Sequence, residues 1–145
     1  MTQPLANYLA AKRIGNMLYM SGVVAVEAGQ VLCSYNQLGD SARAQLKSLG
    51  YDTGQLSVDV FEAPIVVQSY AVLQSIQALA AEHGAQPHQT ARLVQYFRDL
   101  RHYPAYNRVR SLFYPQGVVS TVVEVSRVLP SDAALIEVEA TFDLG

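Results

Sequence analysis

The sequence is poor in cysteine, tryptophan and charge. Cys33 is the single cysteine among 145 residues, and there is no tryptophan. One cysteine excludes an internal disulfide, so we expect the protein to work in a reducing cytoplasm. Residues 1–7 also lack the basic start and the long apolar segment of a secretory signal, which agrees with that location.

The scarcity of charge disfavours two classes of partner. Lys and Arg together number 10 against 12 Asp and Glu, which gives a net charge of −2 at pH 7. Proteins that bind nucleic acid by neutralising phosphates carry a basic excess, so we expect no nucleic acid partner. Uninterrupted apolar runs are short, Gly22–Val26 among them, and this predicts no membrane-spanning helix and no membrane partner.

Apolar residues, in contrast, are abundant and make up 50% of the sequence. That is enough for one compact core, and the chain is too short for two ordinary domains, so we expect a single domain over residues 1–145. Charged residues, at 15%, are too few to cover the surface of a small domain. An apolar face should therefore be buried against another copy of the chain.

The first half of the chain predicts a hairpin, an insertion and a long helix. β-rich segments at Tyr8–Ile14 and Met17–Val26 flank a Gly-Asn pair that suits a tight turn. Residues 28–60 are broken by glycines and are expected to form an insertion that holds one short helix, Asp40–Gly50. A longer helix should begin at Pro64, because proline suits a first helical turn, and should end at a His-Gly pair.

The second half predicts strands at Thr90–Phe97, Val118–Val128 and Ala134–Leu144, with a helix at Tyr103–Tyr114 between the first two. The resulting order, ββ(α)αβαββ, predicts an α+β domain with two main helices on one face of a single mixed sheet. The sequence supplies no third layer. The other face of the sheet should therefore be covered by a neighbouring copy.

The residues that usually bind metals and cofactors are not arranged for it. His83, His88 and His102 are far apart and form no ligand pair, and no Gly-rich phosphate loop occurs. We therefore expect no metal and no cofactor. Cys33 has no basic neighbour that would activate it, and we expect an inert side chain.

Carboxylates in the last two strands are the main candidates for catalysis. Glu137 and Glu139 share one face of the final strand, and Glu124 lies in the strand before it. Strand interiors disfavour charge, so such a glutamate lies either on a solvated face or at a cavity where it transfers protons. The spacing leaves both interpretations open.

Four stretches of the sequence resemble one known family. Asn7–Gly22 resembles a Pro-Tyr-Ser-Gln-Ala opening, a Gly-Asn turn and a strand that ends in Ser-Gly-Gln. Val122–Pro130 is similar to a Val-Glu-Val-Ala-Arg-Leu-Pro run, Ile136–Ala140 to Ile-Glu-Ile-Glu-Ala, and Tyr106–Phe113 to a helix that carries an asparagine and ends in Phe-Phe. These are motifs of the Rid family, the reactive intermediate imine/enamine deaminases formerly called translation inhibitors or L-PSP endoribonucleases. The resemblance covers most of the chain outside residues 28–60.

This resemblance implies a chorismate-mutase-like fold and a homotrimer whose sheets form a central barrel, with clefts between subunits. Tyr8 matches the conserved tyrosine of the family, and Glu139 matches its functional second glutamate. In family members the glutamate handles the attacking water, so the resemblance makes Glu139 and Tyr8 the catalytic candidates. Asn107 matches the helix asparagine and is a candidate for substrate binding.

The sequence departs from the family pattern at a position that matters for binding. Ser120 stands where family members have an arginine that grips the substrate carboxylate, and Val23 replaces a glutamine. Ser120 and Thr121 could instead offer neutral hydrogen bonds to a less acidic substrate group. Candidate replacement cations are Arg98, Arg101 and Arg108.

These observations predict a divergent Rid-type deaminase or hydrolase that acts on a small imine, enamine or related unsaturated catabolite in an intersubunit cleft. The alternative is a non-catalytic, ligand-binding or regulatory trimer of the same fold. RNA cleavage is a third interpretation, which the charge balance disfavours. The partners we expect are a small-molecule ligand and further copies of the chain.

Overall fold

The predicted order of the main helices and strands is confirmed, and short strands are added to it. The computed structural model describes residues 4–145. The prediction about a secretory signal used residues 1–7, and residues 1–3 of these lie outside the described residues. The strands are β1 (Ala11–Ile14), β2 (Met17–Met20), β3 (Val23–Val24), β4 (Val26–Glu27), β5 (Gln30–Val31), β6 (Thr90–Phe97), β7 (Ser120–Glu124) and β8 (Ile136–Asp143). The α-helices are α1 (Asp40–Ser48), α2 (Leu56–Glu82) and α3 (Tyr103–Phe113).

The main sheet is mixed, as predicted, and the last strand of the chain lies at its centre. Its order is β1-β2-β8-β6-β7, with β3 paired to β8 beside the end of β2. Only β6 and β7 run parallel, and the other pairs of this sheet are antiparallel. Strands β4 and β5 form a separate small hairpin.

Alternation along β8 decides which face of the sheet is buried. Ile136, Val138, Ala140 and Phe142 point to one face and are almost fully buried in the core with α2 and α3. Each such apolar side chain contributes roughly 1.5–3 kcal/mol when it leaves water. The opposite face carries the other residues of β8 and is left without a covering helix among residues 4–145.

The N-terminal hairpin forms around Gly15, whose φ of +59° is accessible to glycine without steric cost. Its second arm is not one continuous strand as predicted. Tyr19 pairs with Thr141 of β8, whereas Val23 pairs with Val138, so the β2–β3 side holds one residue more than β8 between these pairs. This β-bulge brings Gly22 against β8.

Helix α2 begins at Leu56, and the predicted start at Pro64 is therefore wrong. The Asp59 carboxylate accepts the N–H and hydroxyl of Thr53, at 3.0 and 2.7 Å, and the N–H of Gly54 at 3.0 Å. These bonds tie the preceding loop to the first turn, so the helix is already established where the proline occurs. Within the helix Pro64 removes its own N–H from the ladder, and its ring crowds the carbonyl one turn before it.

By length and composition α2 could cross a membrane, although the short uninterrupted apolar runs of the sequence predicted no such helix. It has 27 residues, and an 18-residue window within it has a mean hydropathy of 1.4. Its middle turns, Ala63–Leu73, are buried almost all round by the rest of the protein. This position identifies α2 as the central core helix of the domain.

Candidate active site

A cavity of about 280 Å³ lies between the N-terminal segment, the bulge and the start of β8. Its lining combines apolar side chains with a phenol, a hydroxyl and a carboxylate. The lining residues are Leu5, Ala6, Tyr8, Ser21, Gly22, Val24, Leu129 and Glu137. We call this space the Tyr8–Glu137 cavity.

Hydrogen bonds to the end of β2 hold Tyr8 at the mouth of the cavity. The Ser21 hydroxyl donates to the Leu9 carbonyl at 2.6 Å, and the Ser21 N–H donates to the Ala10 carbonyl at 2.9 Å. The Tyr8 hydroxyl accepts the N–H of Leu5 at 3.1 Å. Tyr8 is 41% exposed, and its hydroxyl, which accepts from Leu5, keeps its own hydrogen for a ligand or a water.

Glu137 lines the same cavity as Tyr8, whereas Glu139, the predicted catalytic glutamate, is not among its lining residues. Both carboxylates are on the open face of the sheet, as the alternation predicted. The Glu139 carboxylate accepts a hydrogen bond from the Tyr96 hydroxyl at 2.5 Å. The bulge decides which of the two glutamates lines the cavity, because it sets β3 against Glu137 and Val138.

Gly22 leaves the space that the Glu137 carboxylate occupies. A Cβ atom at residue 22 would lie 2.0 Å from Oε2 and 2.8 Å from Cδ of Glu137. The backbone of Gly22 is outside the left-handed region, so the requirement for glycine here is one of space. The Ser-Gly pair after β2 thus has two roles, since Ser21 holds the Tyr8 segment and Gly22 admits the carboxylate.

Burial raises the pKa of Glu137, and the negative charge of Glu139 raises it further. The hydrogen bond to Glu139 is also the main reason that the pKa of Tyr96 is raised. A carboxyl group whose pKa moves toward neutrality can both donate and accept a proton during a reaction. Glu137 is therefore suited to acid–base chemistry at the cavity.

The predicted substrate-binding residues, Ser120, Thr121 and Asn107, do not line the Tyr8–Glu137 cavity. Ser120 and Asn107 lie together, and Thr121 is on the other face of the sheet. Ser120 pairs with the buried Leu93 and shares its face of the sheet, whereas Thr121 points to the open face. The Ser120 hydroxyl accepts a hydrogen bond from Arg110 of α3 at 3.0 Å, and Asn107 accepts another at 2.9 Å. Ser120 and Asn107 therefore form a second group, centred on Arg110.

The three arginines named as replacement cations are held away from this group. Arg98 donates to the Asp132 carbonyl, and Arg101 pairs with Asp99 at 2.6 Å with its side chain 90% exposed. Arg108 lies over the ring of Tyr51, 4.8 Å from its centre. Arg110 is the arginine that the sequence reasoning missed. Its signal in the sequence was a cation among Tyr106, Val109 and Phe113, which recur at helical spacing.

Among residues 4–145, no group of three or more His, Cys, Asp or Glu side chains is placed to hold a metal ion. His83 Nδ1 lies 3.0 Å from the Leu79 carbonyl at the end of α2, and burial lowers the pKa of His102. The Cys33 sulfur lies 3.7 Å from the Gln68 amide nitrogen. None of these side chains lines the Tyr8–Glu137 cavity.

Comparison with known proteins places these features in a family context. The solved structure of a Klebsiella pneumoniae protein, provisionally named an endoribonuclease, is 44% identical to this chain with a TM-score of 0.89. That match covers 95% of this chain and 100% of the other. A RutC family protein of Pyrococcus abyssi is 26% identical over 139 residues, which is 95% of this chain and 87% of that protein.

The RidA protein of a Psychrobacter species has the same fold at only 14% identity, with a TM-score of 0.71 and coverage of 97% of this chain and 91% of the other. No family model matches the sequence.

Proposed function

Because this chain belongs to the Rid family, also known as RutC or YjgF, we propose that it hydrolyses a small imine or enamine in the Tyr8–Glu137 cavity and releases ammonia. The observation that carries the proposal is a half-buried carboxyl with a raised pKa, Glu137, in the same cavity as the Tyr8 phenol. A space of about 280 Å³ suits a molecule of metabolite size.

In this reaction Glu137 works as acid and then as base. The protonated carboxyl first gives its proton to the imine nitrogen, or to the β-carbon of an enamine, and becomes a carboxylate. It then takes a proton from a water molecule that adds to the C=N carbon, and a carbinolamine forms. Glu137 returns that proton to the carbinolamine nitrogen, and the C–N bond then breaks with its electron pair leaving on ammonia. The hydroxyl oxygen forms the C=O bond as its proton goes to Glu137, so the carbonyl compound leaves and Glu137 ends protonated as it began. The Tyr8 hydroxyl orients the water or the substrate.

In this proposal Glu139 supports Glu137, whereas the family resemblance gives Glu139 the catalytic role. Its carboxylate is held by Tyr96 at 2.5 Å and adds negative charge beside Glu137. We expect it to keep Glu137 protonated to higher pH, as paired carboxylates do when only one of them is easily ionised. Its direct role in catalysis stays a prediction from the resemblance.

The cavity does not suit RNA, although a relative carries the name endoribonuclease. None of its lining residues is a lysine or arginine, and Glu137 would repel a phosphate. The net charge of −2 points the same way. We therefore favour a small, uncharged or locally cationic reacting group at Glu137.

We also propose a cytoplasmic homotrimer that buries the open face of the sheet. That face carries Tyr19 and Val123, which are 46% and 37% exposed, next to the half-buried Val94. Apolar side chains on an uncovered sheet face favour association. Sedimentation should give a mass three times the 15.8 kDa of one chain, and a stable monomer would contradict the trimer.

The test of the reaction is ammonia release from a panel of imines and enamines. We expect Glu137→Gln to lower the rate by about 10²-fold or more, because the amide cannot transfer the proton. Tyr8→Phe should lower it less, because the phenol orients the water or the substrate and transfers no proton. Unchanged activity in Glu137→Gln would overturn this mechanism.

A non-catalytic ligand-binding trimer is the second candidate, since Ser120 replaces the arginine of the family pattern. It predicts ligand binding without any release of ammonia across the panel. An RNA substrate run in parallel separates the third interpretation, which predicts cleavage products that disappear in the same Glu137→Gln variant.

A further inference from the structure

A second cavity, of about 260 Å³, lies between two proline-containing turns where β6 begins. One turn leads into β6, and the other follows α3 and leads towards β7. Its apolar walls are formed by Pro87, Phe113, Pro115 and Val118, and its polar residues include Thr90 and Tyr114. None of these residues lines the Tyr8–Glu137 cavity. We call this second space the Thr90–Tyr114 cavity.

Hydrogen bonds within and between the two turns hold the walls of this cavity in place. In the first turn the N–H and the hydroxyl of Thr90 both donate to the Pro87 carbonyl, the hydroxyl at 2.7 Å. In the second turn the Gly117 N–H donates to the Tyr114 carbonyl at 3.0 Å. A further bond of 3.0 Å joins the Thr90 and Tyr114 hydroxyls and so links the turns. A cavity built in this way is formed before a ligand arrives, which lowers the entropic cost of binding.

The bond between the two hydroxyls has one direction. The Thr90 hydrogen is used for the Pro87 carbonyl, so the Tyr114 hydroxyl donates to Thr90 Oγ1. Burial raises the pKa of Tyr114, and its hydroxyl therefore keeps this hydrogen at neutral pH. Both hydrogens are thus committed within the protein, whereas each oxygen retains a lone pair. The hydroxyl pair offers a ligand acceptors and no donor.

The rest of the lining favours an uncharged aromatic ligand. Among the described residues, the cavity is lined by no Asp, Glu, Lys or Arg, and its histidine, His88, is exposed. A charged ligand would lose water here without an opposite charge in return. Phe113 supplies an aromatic wall, and its ring is held edge-on by Tyr70 with 5.1 Å between the ring centres. An aromatic ligand gains both apolar burial and ring contact at such a wall.

We propose that the Thr90–Tyr114 cavity binds a small neutral heterocycle that carries an aromatic N–H. The N–H donates to the hydroxyl pair, and the ring packs on Phe113 between the two prolines. A space of about 260 Å³ accommodates one or two fused rings.

This site is separate from the cavity of the proposed reaction. Thr90 pairs with Phe142 of β8, whereas Glu137 pairs with Tyr96 at the other end of β6. Six residues of strand lie between the two pairs, which is about 20 Å. A ligand in the Thr90–Tyr114 cavity therefore leaves the Glu137 carboxyl uncovered in the same chain, and the proposal does not depend on the proposed function.

Indole and benzofuran test the proposal on the full chain, because they have the same shape and differ in an N–H against a ring oxygen. Binding is measured at pH 7 by calorimetry and by NMR. We expect indole to bind at least fivefold more tightly, since benzofuran cannot donate and leaves the acceptors unpaired. The NMR signals of the Val118 methyl groups should shift with indole and saturate.

Two variants break the same bond between the hydroxyls and should nevertheless behave differently. Thr90→Val releases the Tyr114 hydrogen, so the site gains a donor and the preference for indole should fall to twofold or less. The Pro87 carbonyl keeps the Thr90 N–H in this variant. Tyr114→Phe leaves Thr90 Oγ1 as an acceptor whose hydrogen is still used by Pro87, so the preference should remain. A purely structural role of the bond would make the two variants alike.

The matched control is Thr141→Val, which removes a hydroxyl from β8 outside the cavity and should leave both affinities unchanged. Equal binding of indole and benzofuran would overturn the proposal, as would a preference that survives in Thr90→Val or the absence of saturable binding. If indole lowers the sedimenting mass, a segment of another copy occupies the cavity and the proposal is wrong. If Thr90→Val does not fold, the wild-type preference and the Val118 signals decide.

Discussion

Replacement of Gly22 by alanine tests whether the position of the Glu137 carboxylate matters. The new methyl group would lie 2.0 Å from Oε2, and carbon–oxygen contacts below 3.0 Å are essentially never found at a Cβ atom. The carboxylate must therefore move by about 1 Å or more. A displacement of that size in a reacting group can cost about 10²-fold in rate, or roughly 2.7 kcal/mol of transition-state stabilisation.

The same substitution should hardly change the stability of the fold. Only the far end of a flexible side chain has to move, and alanine in place of glycine stabilises by about 0.4–1 kcal/mol through the unfolded chain. We expect the free energy of unfolding in urea to stay within about 1 kcal/mol of the wild type. Loss of ammonia release without loss of stability is thus the expected outcome.

Gly39→Ala provides a matched control, because a Cβ atom at residue 39 meets nothing within 4 Å and its φ is −72°. It should keep full activity. The double variant Gly22→Ala/Glu137→Asp carries a shorter acid that withdraws from the methyl group, so the two substitutions should not be additive. Wild-type activity in Gly22→Ala would refute the reasoning that places catalysis at this carboxylate.

Two further predictions concern the negative charge of Glu139 beside Glu137 and the hydrogen bonds that hold the segment before β8. Glu139→Gln removes the negative charge that helps to raise the pKa of Glu137, so the pH–rate profile for its protonated form should move to lower pH. A raised folded-state pKa stabilises the fold at low pH, and this contribution is lost as pH rises through that value, so Glu139→Gln should gain stability at neutral pH but not in acid. Gln68 is fully buried and bonds the Ala133 carbonyl at 2.9 Å and the Leu135 N–H at 2.8 Å. Gln68→Leu leaves both groups unpaired and should cost about 2–4 kcal/mol in urea unfolding, whereas Gln74→Leu on the exposed side of α2 should not.

Much of the fold could be predicted because it follows from local patterns. Alternation marked β6 and β8, a capping candidate and a final glycine marked α1, and helical spacing marked α3. The start of α2 could not be found in this way, because proline is also tolerated inside a helix whose first turn is held by other contacts. Here those contacts come from Asp59, which binds the loop residues Thr53 and Gly54.

The sequence predicted which residue types form the candidate site better than it predicted which of these residues lie together in space. Alternation placed Glu137 and Glu139 on one face, but the choice between them depends on the register of β3 against β8. That register follows from a bulge, and a bulge forms only when two strands pair that are distant in sequence. Ser120 was singled out from a resemblance along the strand, which carries no information about Arg110 on a helix beside it.

The sequence by itself determined the α+β class, the alternating faces of β8, the Ser-Gly pair and the low content of charged residues. Each of these depends on composition or on neighbours along the chain. The tertiary structure alone decided that Glu137 and Tyr8 line one cavity, that Gly22 makes room for the Glu137 carboxylate, and that Arg110 donates to Ser120. These are contacts between elements far apart in the chain, and only packing fixes the distances over which protons and charges interact.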